Sequence, residues 1–71
     1  MKEETIKTIK ENLTTKVNAL GGDLSKAAFL VGARQLNLMY YDEGIIETDE
    51  YLALDKFMEV EIDKVSKSLI S

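Results

Sequence analysis

Nine carboxylates stand between Asp42 and Asp63 with Lys56 as the single cation among them, so this stretch carries a net charge of −8. Carboxylates can ligate metals, move protons or attract a basic surface, and the residues around them decide which. The chain has no His and no Cys. That removes a histidine general base, a thiolate nucleophile and a conventional zinc site. A dinuclear metal site in a helical bundle draws on Glu-x-x-His pairs, which this chain cannot supply. Ser25 precedes Lys26, but neighbours on a helix point about 100° apart and form no Ser–Lys dyad. Gly21-Gly22 lacks the rest of any phosphate-binding fingerprint. The expectation is a protein without catalytic residues, cofactor or metal.

What remains is electrostatic. Asp55, Glu59 and Asp63 are spaced by four and stack on one helical face, where like charges cost a few tenths of a kcal/mol per pair. A solvated face that keeps a small protein soluble would explain them. A docking surface for a basic partner would also explain them. Tyr40, Tyr41 and Tyr51 fall beside Asp42, Glu43, Glu47, Asp49 and Glu50, and tyrosine offers large contact area at low entropic cost. That clustering favours docking on a basic protein surface. In its most specific form the chain is an inhibitory decoy, its carboxylates standing in for phosphates at a nucleic-acid-binding protein. Direct binding of DNA or RNA is disfavoured, since a segment of −8 repels phosphate and Arg34 is the only arginine. A membrane-surface helix needs a basic polar face that the acidic C-terminal segment lacks.

The elements that must position these residues are helical. Proline is absent and glycine occurs only at 21, 22, 32 and 44, which divides the chain into three segments. Ile6, Ile9, Leu13, Val17 and Leu20 form one stripe of a first helix over about 3–20, with Gly21 able to end it in the left-handed conformation. A second helix over about 24–43 contains AAFLVGA at 27–33, apolar all round, as in a helix enclosed on more than one side. Asp23 or Ser25 would cap it. Ala28 and Gly32 present a strip of small residues that suits close packing within the chain, or a dimer contact. A third helix over about 48–69 would be capped by Thr48 and would place Tyr51, Leu54, Met58, Ile62, Val65 and Leu69 on one side, with Phe57 beside them. Short connections predict an antiparallel, up-down-up three-helix bundle. Arg34 interrupts the apolar second helix and Glu61 the apolar side of the third. A hairpin turning near residue 46 brings both to about the same level, which predicts an Arg34–Glu61 ion pair that fixes register.

The hairpin at 38–58, LMYYDEGIIETDEYLALDKFM, resembles the small helical module called SHOCT. Gly44, Ile46, Asp49, Glu50 and Tyr51 stand in the order of that motif, although Glu47 occupies the place of its Thr or Ser and Thr48 comes one residue late. The resemblance implies an interaction or assembly module. The same letters also match the latter half of an EF-hand loop, with Gly44 and Glu50 in place. The earlier ligand positions would then be Met39, Tyr41 and Glu43, and Met and Tyr cannot supply the hard oxygens calcium requires, so calcium is rejected.

Seventy-one residues make one small domain, 1–71, of marginal stability as a monomer. Without cysteine no disulfide offsets the deficit, and homodimerisation is the expected remedy. MKEETIKTIKENL has no continuous apolar run and does not read as a signal peptide. No segment approaches the about 18 apolar residues of a membrane span, so a cytoplasmic protein is expected.

Overall fold

The computed structural model describes residues 3–70. It contains three helices, α1 (Glu3–Asn18), α2 (Asp23–Asp42) and α3 (Thr48–Ile70), with no strand among the described residues. The all-α architecture follows the expected pattern, and the three helices pack against one another. α2 and α3 form the principal hairpin, and α1 lies across one side of it. Leu30 is fully buried at the centre, together with Val17, Leu54 and Met58. Ile6, Ile9, Leu13, Phe29, Ala33, Phe57, Ile62 and Val65 pack around them. Lys10 of α1 adds a cation–π contact, its Nζ 5.7 Å from the Phe57 ring centroid.

The helix ends differ from the sequence expectation in instructive ways. α1 stops at Asn18 through a tightened last turn, in which Leu20 N–H donates to Val17 O at 3.1 Å. The left-handed conformation belongs to Gly44 (φ 76°) and to no other described residue, so Gly21 does not end α1 that way. Neither Asp23 nor Ser25 caps α2: its N-cap is the extended Gly22, without a side-chain cap. Asp23 instead accepts a hydrogen bond from the Ser68 hydroxyl at 2.8 Å, which ties the start of α2 to the end of α3.

The apolar run of α2 is enclosed on two sides and open on a third. α1 meets the side bearing Ala33, which shares a cavity with Ile9 and Leu13, and α3 the side bearing Arg34 and Asn37. Leu24, Val31, Leu38 and Met39 remain exposed, with Leu24 at 74%. Ala28 and Gly32 lie on this open face too, and a Cβ placed on Gly32 would meet nothing within 4 Å. The small-residue strip therefore does not serve packing within the chain. No described helix is long and apolar enough to cross a membrane.

Candidate functional site

The turn between α2 and α3 is built rigidly from both ends. At the α2 end, Ile45 N–H donates to Tyr40 O at 2.9 Å and Gly44 N–H to Tyr41 O at 3.1 Å. This is the paired closure of a Schellman motif, and it requires a residue in the left-handed region, here Gly44. At the α3 end the N-cap is Glu47, not Thr48, because α3 begins at Thr48. Glu50 Oε1 accepts from Glu47 N–H at 2.7 Å, the backward arm of a capping box. Glu50 is 2% exposed, so this acid belongs to the frame of the turn and not to its surface. Asp49 Oδ1 accepts from Glu50 N–H at 2.9 Å. One carboxylate oxygen from each of Glu47, Asp49 and Glu50 lies within 4.8 Å of the others.

The tyrosines divide. Tyr41 and Tyr51 stack with centroids 4.7 Å apart and planes 16° from parallel, clamping α2 to α3 just below the turn. The Tyr41 hydroxyl also meets Thr48 Oγ1 at 3.1 Å. Only Tyr40 is largely exposed, at 47%, accompanied by the exposed Ile45.

The acids divide as well. Arg34 does not reach Glu61. Its Nε donates to Asp55 Oδ1 at 2.7 Å and its Nη2 to Asp55 Oδ2 at 3.1 Å, a bidentate pair, and Nη2 also meets Glu59 Oε2 at 3.2 Å. Glu61 lies two residues beyond Glu59, near the level of Arg34 but on the opposite flank of α3. Glu61 pairs with Lys64 at 3.1 Å. Lys56 supports Glu59 at 3.2 Å, and Lys67 supports Asp63 at 3.1 Å. The Asp55, Glu59 and Asp63 ladder is thus matched by cations of its own chain. Asp42, Glu43, Glu47 and Asp49 are exposed and make no ion pair among the described residues. Negative charge is left uncompensated at one end of the bundle.

Arg34 hydrogen bonds push the Asp55 carboxyl below the ordinary aspartate range, against an opposing effect of burial, and Asp55 raises the Arg34 guanidinium in turn. A carboxyl depressed in the folded state stabilises the protein above its unfolded pKa, and that contribution disappears as pH falls through the folded value. Arg34→Gln should therefore cost about 1 kcal/mol at neutral pH, typical of a good bidentate pair at a partly exposed site. Below the ordinary aspartate pKa of about 3.9 the difference should shrink towards zero. Urea unfolding of both proteins across that range checks it, and a cost independent of pH would remove the ion pair as its cause.

One apolar pocket lies outside the sequence expectations. Ile9, Leu13, Ala33, Leu36, Tyr40, Ile46, Leu54 and Met58 line a cavity of about 280 Å³ where α1 leaves the hairpin partly uncovered, with Asn37 among them. Asn37 is 6% exposed. Its Nδ2 donates to Tyr51 O at 3.2 Å, and its Oδ1 accepts no hydrogen bond from the described residues. A lone Asn seven residues after Leu30, on the same face of an apolar helix, was the available signal. No protein-family model, curated protein or solved structure that was compared with the chain matches it. The geometry of the turn and its pocket therefore carries the functional reading.

Proposed function

We propose that this chain is a non-enzymatic interaction protein whose acidic turn docks on a basic protein surface. The observation that carries the reading is the division of the acids: Asp55, Glu59, Glu61 and Asp63 along α3 are paired internally, whereas Asp42, Glu43, Glu47 and Asp49, at and beside the turn, are exposed and make no ion pair among the described residues. Surplus charge held on a rigid element steers association and selects partners of opposite sign. Exposed Tyr40 and Ile45 give that surface the apolar contact area that charge alone lacks. The likeness of this hairpin to a small interaction module points the same way. As an inhibitor the chain would occupy a nucleic-acid-binding protein through the turn, since the ladder on α3 is already neutralised.

Affinity capture from lysate at low and high salt tests the proposal, with a variant carrying Asp42, Asp49→Asn and Glu43, Glu47→Gln. Expected is a basic protein retained by the unsubstituted chain at low salt and lost both in high salt and in the variant. Retention by both chains in high salt would sink the electrostatic reading.

A second reading rests on the uncovered face of α2, where Leu24, Val31, Leu38 and Met39 are exposed. Such a face suits homodimerisation, with the acids serving solubility alone. Sedimentation separates the two, because assembly through apolar contacts withstands salt.

A further inference from the structure

We infer that the pocket between α1 and the α2–α3 hairpin receives a tryptophan side chain carried on a lysine- or arginine-bearing segment of the partner. The inference rests on the docking reading above and names the kind of partner it implies. Three features select the occupant. The first is size. A cavity near 150 Å³ takes a single benzene ring, and drug-sized ligands begin at about 300 Å³. A cavity of about 280 Å³ therefore suits one bicyclic side chain.

The second feature is polarity. The lining is apolar apart from the Tyr40 hydroxyl and Asn37, and Asn37 Nδ2 donates one of its two N–H groups to Tyr51 O. The Asn37 Oδ1 is left as an acceptor in otherwise apolar surroundings. An indole brings one donor and no acceptor, which suits the Oδ1 acceptor. The third feature is charge. Lining residue Ile46 adjoins Glu47, and lining residue Tyr40 lies one helical turn before Glu43. The pocket therefore opens beside carboxylates without cations of their own, and a cation next to the inserted ring would meet them. Apolar anchor and charged rim together make an interface hot spot of ordinary kind.

The chain contains no Trp, so a tryptophan peptide reports on itself. The probe is acetyl-Lys-Lys-Trp-Lys-Lys-amide, titrated with the full chain and excited at the red edge of the absorption band. Expected is a saturable blue shift of the emission. The Trp-to-Ala peptide should compete about thirty-fold more weakly. Ala33→Met fills the cavity and Leu36→Gln alters its half-exposed rim. Each should weaken binding about ten-fold or more while far-ultraviolet circular dichroism stays unchanged. The four-amide variant should bind more weakly and lose its salt dependence.

Equal competition by the Trp-to-Ala peptide would overturn the inference and leave charge docking standing. A blue shift indifferent to salt and to the amides, or equally tight binding of N-acetyltryptophanamide, would overturn the basic partner in favour of a small apolar ligand. A dimer that Ala33→Met converts to monomer, with no peptide response, would make a second copy the occupant. Absence of any saturable shift up to millimolar peptide would overturn the proposal outright.

Discussion

Replacing Leu30 by alanine lowers the stability of this chain by about 3 kcal/mol and its melting temperature by about 15 °C. Leu30 has no accessible surface and touches the cluster of Val17, Leu54 and Met58, so it is where all three helices meet. Truncation there loses the transfer energy of the removed atoms and leaves a void that helices packed on two sides cannot close. The loss is large because the total is small: a chain of this length holds about 4–10 kcal/mol, with only four hydrophobic residues buried among those described. Two controls sharpen the expectation. Leu30→Met conserves volume and should cost less than about 1.5 kcal/mol. Leu24→Ala, on the same helix but exposed, should stay within about 0.5 kcal/mol. Urea unfolding followed by circular dichroism measures all three. Equal losses for Leu30→Ala and Leu24→Ala would mean that the core is not centred on α2.

The bundle was legible because its apolar residues keep a helical period and its glycines punctuate it. Helix existence and order follow from Ile6 to Leu20, from the run at 27–33 and from Leu54 to Val65 with little ambiguity. What the period does not encode is angular position on a crowded hairpin. Arg34 has three acids within a turn of its level, Asp55, Glu59 and Glu61, and only the rotation of α3 about its axis selects the first two. Capping was misplaced for a related reason. Thr48 has the right side chain for an N-cap, but its hydroxyl is taken up by Tyr41, and the start of α3 is fixed instead by Glu50 reaching back to Glu47. Three tyrosines in twelve residues suggested one surface. The ring stack of Tyr41 on Tyr51 is a cross-helix contact that one-dimensional spacing does not reveal, and it leaves Tyr40 as the tyrosine most available to a partner. The pocket is not encoded in spacing because a cavity is a property of three elements together, here of a first helix that leaves Leu36 and Tyr40 uncovered.

Glu50→Ala should cost about 2 kcal/mol, the usual worth of a hydrogen bond to a charged acceptor, and should weaken partner binding without touching the contact surface. Glu50 is nearly inaccessible, and its Oε1 holds the Glu47 amide at 2.7 Å. Alanine removes that acceptor and frays the first turn of α3, where Glu47 and Asp49 are presented. The opposite end of the turn, closed by Gly44 and Ile45 onto Tyr41 and Tyr40, is unaffected, so the bundle should remain folded while its acidic loop gains freedom. Binding then weakens because ordering that loop must be offset at the moment of association. Glu50→Gln separates the two roles a buried acid can play. Glutamine keeps an acceptor for the Glu47 amide, as capping boxes permit, and removes the charge. If the frame of the turn is what matters, Glu50→Gln recovers most of the stability and most of the affinity for the basic peptide. If it proves as damaging as alanine on both measures, the negative charge of Glu50 is the active quantity, and the turn is held by electrostatics and not by its cap.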